Sequence, residues 1–358
     1  MSVEFTKQQW DKIKTDSNKW WKGELGRPLL QVRLNDPAKE KSKYSFQSFY
    51  PLDEPASVIV DDWEKELDST LHLGDAFPHI WPNFGPGCIA AFMGADLVNG
   101  QETAWFHPKE DKELRDLAFN YIPDNKWLIR VKDIVEEVLN RWQGGVQLGL
   151  TDLGGNLDIL STFRPSEKLL FDLYDCPDDV KKMTWEAHEL WWKYFEEFHT
   201  KMLTANPGYS SWARIFSEQP HYMLQCDFCY MIGPDMFDEF VKPELAASCD
   251  KLENAFYHLD GPGELPHLDS LLEIDSLKGV QWIPGAGTED NTNWPDVYRK
   301  ISDAGKKIQI FSQHSEKPFE QQLDIIADQI GRCDNIVFMI DADISERERA
   351  KNLLEKFC

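Results

Sequence analysis

Eight short runs rich in β-branched and aromatic residues recur along the chain, separated by stretches with helical spacing, and this alternation constrains the fold more than any other feature. The runs are Leu29 to Leu34, Phe77 to Trp81, Val146 to Thr151, Tyr222 to Asp227, Ala255 to Asp260, Val280 to Ile283, Lys307 to Phe311 and Ile336 to Asp341. Residues 131–142 (VKDIVEEVLNRW), 178–203, 235–254 and 319–332 place apolar residues three and four apart, the spacing of one buried helix face. Strands alternating with helices predict a parallel sheet with crossover helices. Alternation alone also fits a doubly wound open sheet, but no glycine-rich dinucleotide fingerprint follows any run, which removes the usual reason to choose it. The fold expected is a (β/α)8 TIM barrel.

A chain of 358 residues suits one such barrel with extensions. We expect a single domain over 1–358, with 1–70 an elaborated, largely helical N-terminal region packed on it. No repeat, low-complexity segment or linker marks a boundary. Proline and glycine clusters follow the strand runs at Pro82 to Gly87, Gly154-Gly155-Asn156, Gly261-Pro262-Gly263 and Pro284 to Gly287. In a barrel these loops crowd the C-terminal rim, where substrates bind.

Charge narrows the partners. With 38 Lys plus Arg against 62 Asp plus Glu, the net charge is -24, a field that repels nucleic acid and anionic membranes and disfavours a substrate with many carboxylates. The residues Met1 to Lys22 carry charges every few positions and do not read as a secretory signal. No stretch approaches the ~20 apolar residues that span a bilayer. Seven cysteines at irregular spacing suit a reducing compartment, so the cytoplasm is the expected location. A homodimer is the default expectation for such a protein.

The most informative stretch is Phe256 to Leu272 (FYHLDGPGELPHLDSLL). Side chains alternate along a strand, so His258 and Asp260 point the same way at a strand end. An imidazole and a carboxylate so placed share a metal ion or a proton, or form a purely structural pair. Other polar residues fall near strand ends. Asn156 and Arg164 are candidates to hold substrate, with helix capping and surface ion pairing as their alternatives; Asp152 reads as a helix cap. Trp81 and Trp282 sit where an aromatic wall could stack a substrate, or pack the core. His314, past the seventh run, is the further imidazole expected to reach the same mouth. Cys226 and Cys229 form C-x-x-C, but on a strand residues three apart face opposite sides, so they read as buried thiols.

Residues Cys226 to Leu245 (CDFCYMIGPDMFDEFVKPEL), followed by His258-Leu259-Asp260-Gly261, resemble the uroporphyrinogen decarboxylase superfamily over roughly residues 75–358. The resemblance implies a TIM barrel and makes Asp227 the strand-end acid of the site. The arginine-rich N-terminal motif of true porphyrinogen decarboxylases is missing: Arg27 and Arg33 stand alone in the first 110 residues. The chain is similar instead to the cobalamin-dependent methyltransferase branch, whose zinc is held by His-x-Cys and a late cysteine. Here Asp260 replaces the first cysteine and Ile340-Asp341-Ala342-Asp343 carries none, which moves the site toward harder ions.

The resemblance therefore implies catalysis by His258, Asp260 and Asp227, with zinc on His258, Asp260 and Asp341, or Asp343 in its place. It implies a methyltransferase or demethylase that takes a methyl group from a small methoxylated or methylated amine substrate. The methyl group passes to a corrinoid carried by a separate partner protein. A cofactor-free decarboxylase or lyase of a small carboxylate, and a non-catalytic binding barrel, are the alternatives.

Overall fold

The computed structural model describes residues 5–101, 103–285 and 287–357. Met1 to Glu4, Glu102, Ala286 within the Pro284 to Gly287 cluster, and Cys358 lie outside the described residues. The strands, in chain order, are β1 Leu29–Asn35, β2 Thr70–Gly74, β3 His79–Ile80, β4 Asp96–Asn99, β5 Ala104–His107, β6 Gln147–Leu148, β7 His221–Leu224, β8 Asn254–Asp260, β9 Leu277–Ile283, β10 Lys307–Phe311 and β11 Ile336–Asp343. Each of the eight expected runs contains a strand, and helices fill the intervals between most of them.

The hydrogen-bonded pattern differs from a closed barrel. Among the described residues the main sheet has seven strands in the order β2-β1-β11-β10-β9-β8-β7, all parallel except β2. The parallel pair β3–β6 stands apart from it, and β4–β5 is a separate hairpin. Two insertions account for the open seams. Antiparallel β2 takes the free edge of β1, from Gln31↔Gly74 to Asn35↔Thr70. A tight excursion, with Tyr209 bridged to Ser217, pairs its Ser211 with Leu150 just past β6.

Strand alternation divides the main sheet into two buried faces. Leu30, Val32, Tyr257, Leu259, Val280, Ile308, Ile310, Phe338 and Ile340 meet the helices in the larger core. Leu29, Met223, Phe256, Val337 and Met339 form the inner cluster with Ala213, Ile215 and Trp20. A sheet buried on both faces reads as continuous apolar runs rather than alternating ones. Gly279 shows how close the inner packing is: an added Cβ would lie 2.2 Å from the Phe256 ring.

The N-terminal helix Lys7–Trp21 begins at a Thr6–Gln9 capping box, which satisfies two of its otherwise free amides. Its last turn delivers Trp20, fully buried, onto the inner face. At ~25 cal/mol per Å² over ~200 Å², that burial contributes about 5 kcal/mol at most. Buried Asp75 ties the helix to the sheet, accepting from the Leu30 amide at 2.9 Å and pairing with Arg27 at 2.6 Å and Lys12 at 3.0 Å. No helix among the described residues is long and apolar enough to cross a membrane.

Candidate functional site

The inner face turns polar towards the C-terminal ends of its strands. On β8 the apolar Phe256 is followed at the same parity by His258 and Asp260. Asp227 joins them from the 3₁₀ turn Asp227–Met231 that follows β7. One ligand atom from each of Asp227, His258 and Asp260 lies within 4.8 Å of the others, and the Nε2 of His258 stands 4.0 Å from the nearer Asp260 oxygen. Asp227 is exposed and the Asp260 side chain is 46% exposed, so the group opens to solvent on one side.

The tautomer of His258 follows from a chain of amides behind it. His258, Gln281 and Gln309 are in register on β8, β9 and β10. Gln309 Nε2 donates to the Ala213 carbonyl at 2.7 Å, which can only accept. Its Oε1 is thereby left to accept from Gln281 Nε2 at 2.6 Å. The Gln281 Oε1 is then the acceptor facing His258 Nδ1, and the two are hydrogen-bonded. Nδ1 therefore carries the proton and Nε2 presents a lone pair towards the two aspartates. Both glutamines are fully buried, so the chain has no competing water. Trp212 packs edge-on against the imidazole at 5.2 Å.

Carboxyls crowd the other side. Asp158, in the first turn of the helix Asn156–Phe163, accepts from the Asp227 amide at 3.0 Å and the Phe228 amide at 2.7 Å, holding the turn that carries Asp227. Burial and the neighbouring Asp227 charge push Asp158 up to about 7. Burial and Asp260 push Asp227 up to about 6. Buried Asp152 is raised to about 7 and Glu264 to about 10, each by burial first and Asp227 second. Burial lowers the affinity of His258 for a proton, partly offset by Asp260. Among the described residues, no lysine or arginine is within ion-pair distance of Asp158, Asp227, Asp260 or Glu264. Three oxygen or nitrogen ligands, one open side and an uncompensated negative field fit a divalent cation such as zinc.

Several expected site residues lie elsewhere. Asp341 does not join the metal group: it is on the right face, but β11 is three strands from β8, ~14 Å along the sheet. It is instead gripped by Arg214 at 3.0 and 2.5 Å. Arg164 does not reach the site either; it is buried against Asp172 at 2.5 Å and Glu113 at 3.1 Å, the ion-pairing alternative. Asn156 faces the helix layer, donating to Glu244 at 2.7 Å. Trp282 has opposite parity to Gln281, so it turns outward and packs on Trp294. Trp81 lines a cavity with Trp212. His314 ends the turn Ser312–His314 after β10 and lines a separate recess, near enough to feel the Asp260 charge.

The C-x-x-C geometry also departs from expectation. The strand β7 ends at Leu224, and Cys226 caps the 3₁₀ turn, where residues three apart eclipse. Both thiols are buried, and Cys226 Sγ donates to Asp158 Oδ1 at 3.9 Å. Asp152 binds the Gly154 amide at 2.9 Å and leaves the helix Asn156–Phe163 uncapped by it. Gln281, Gln309, Glu264 and Trp212 were not anticipated. The two glutamines had a visible signal: each is a polar residue inside an apolar run (VQWI, KIQIF) at the parity of the inner face.

No family model and no curated protein matches this sequence. Among solved structures, the chain is similar to a methyltransferase from Methanosarcina mazei, with a TM-score of 0.59 and 12% sequence identity. The alignment covers 96% of this chain and 98% of that one. The likeness runs over essentially the whole length and shows a shared α/β fold built on a parallel sheet.

Proposed function

We propose that the protein is a metal-assisted methyltransferase or demethylase acting on a small methoxylated or methylated amine substrate, with a corrinoid on a partner protein as methyl acceptor. The observation that carries this reading is the fixed tautomer of His258, whose Nε2 lone pair is aimed at two carboxylates on an open edge. The methyltransferase from Methanosarcina mazei, similar over its whole length, supports the reaction class. On the same reading, the main sheet and the β3–β6 pair are arcs of one eight-stranded (β/α)8 ring.

In this proposal His258, Asp227 and Asp260 hold the metal. A divalent ion bound there supplies a Lewis acid that polarises the heteroatom bearing the methyl group. Asp158 positions Asp227 through the two backbone amides, and Gln281 positions His258. Glu264, protonated at neutral pH, keeps the buried side of the site from gaining another negative charge. Asp260, at the exposed side, is placed to hydrogen-bond a demethylated alcohol or amine as it leaves.

The test is metal content together with turnover. Purified protein should hold close to one divalent ion per chain and transfer methyl groups from methoxylated or methylamine substrates to Co(I) cobalamin. Activity should disappear on chelation and return with zinc. Decarboxylation that survives chelation in metal-free protein would instead establish the cofactor-free lyase.

A further inference from the structure

A cavity of about 320 Å³ is lined by Arg33, Arg214, Tyr44, Trp63, Trp81 and Trp212, among others. It adjoins the candidate metal centre, because Trp212 both lines it and packs against the His258 ring at 5.2 Å. Its volume is near the lower end of small-molecule pockets, roughly 300–1,000 Å³, which suits a ligand of one ring. Three indoles and a phenol supply aromatic walls.

The two arginines share a single well-placed counterion. Arg214 takes both oxygens of Asp341. Arg33 is left with Asp341 at 3.6 Å and Glu66 at 4.0 Å, both beyond hydrogen-bond reach. Its side chain is only 19% exposed, yet makes no side-chain hydrogen bond among the described residues. Burial and repulsion by Arg214 hold Arg33 down to about 10, and desolvation together with the same arginines holds the half-buried His72 down to about 3. Glu66 also lines the cavity, so the two arginines are matched in charge by Glu66 and Asp341, but Arg33 keeps planar donors that neither carboxylate engages, the geometry that recognises a carboxylate.

Arg214 is also held in an unusual conformation. Its φ is 60°, in the left-handed region that non-glycine residues avoid at a cost of ~1–2 kcal/mol. The Asp341 pair and a hydrogen bond from Gln31 Nε2 to its carbonyl at 3.1 Å retain it there. Arg214 therefore occupies Asp341 and leaves Arg33 for a ligand.

We propose that this cavity is the anion subsite for substrate. It takes the single carboxylate of a one-ring aromatic acid on Arg33, with the ring against Trp81 and Trp212 and a methylated substituent directed at His258. The inference rests on the proposed methyl transfer and narrows its substrate class to methoxylated or methylamino benzoates.

Calorimetric titration of the full chain with benzoate tests it without turnover. Benzoate should bind saturably at one site per chain, benzamide ~tenfold or more weakly, and chelation should leave benzoate binding unchanged. Arg33→Gln should cost ~tenfold in benzoate affinity and Arg33→Lys should retain part of it. Equal binding of benzoate and benzamide by the unmodified protein, or displacement of benzoate by lower concentrations of inorganic phosphate, overturns the subsite whatever the variants do. Benzoate binding through Arg33 with no methyl transfer from methoxybenzoates overturns the functional reading and spares the subsite. Methyl transfer from neutral anisoles without benzoate binding does the reverse.

Discussion

Gln281 accepts the Nδ1 proton of His258 from the adjacent strand, in register with it, and is itself oriented by Gln309. The relationship converts a strand-end histidine into a one-sided ligand with a predetermined lone pair. Partners behind a metal-bound histidine typically matter 10–100-fold in metal affinity. Gln281→Leu should weaken zinc binding by roughly that factor, read by competition with a chromophoric chelator. It should also lower stability by about 1–3 kcal/mol, since Gln309 Oε1 and His258 Nδ1 lose their partner in a buried layer.

Asp227 and Asp341 should separate cleanly. Asp227→Asn removes a charged ligand from the group of three and should lower zinc affinity by tenfold or more. Asp341→Asn should leave zinc affinity within about twofold and instead destabilise the fold by about 1–3 kcal/mol, because Arg214 loses a bidentate partner. Parallel chelator competition and urea denaturation on both variants distinguish the two roles.

Acid should expose the tie between the N-terminal helix and the sheet. Burial works to raise the Asp75 carboxyl, but Arg27, Lys12 and the Leu30 amide outweigh it and hold the group below the usual carboxylate range. A depressed folded value means that the contribution is complete above the unfolded value of about 3.9 and is lost as pH falls through the folded one. Asp75→Asn should therefore cost roughly 3 kcal/mol at pH 7, with the difference from the unmodified protein shrinking towards pH 2. Thermal unfolding across that range checks the sign.

Gly279→Ala should be destabilising by about 1–3 kcal/mol, since the new methyl collides with the Phe256 ring. The companion change Phe256→Leu makes room. The double variant should therefore be less destabilised than the sum of the two single ones, a coupling measurable by denaturant titration.

Much of this organisation is written in the order of residue types. The apolar runs locate the strands, and the parity of Phe256, His258 and Asp260 places the last two on the inner face. Parity specifies the face but neither the register nor the distance across the sheet, which is why Asp341, on the same face of β11 but beyond the row of Asp260, resembles a ligand and is bound to Arg214 instead. Trp282 illustrates the same rule in reverse, since the parity of Gln281 turns it outward. The open seams were not legible: Thr70–Gly74 is a short mixed segment, and nothing in it specifies antiparallel pairing with β1. Asn156 and Arg164 flank one short helix, whose rotation depends on tertiary packing that spacing does not encode.

Diffraction from crystals grown with zinc, with anomalous data on both sides of the zinc absorption edge, tests the central claim most directly. The prediction is a single strong peak ~2.0–2.2 Å from His258 Nε2 and from oxygens of Asp227 and Asp260, with His258 Nδ1 still bonded to Gln281. A metal held elsewhere, or His258 engaged through Nδ1 with Gln281 released, would contradict the account.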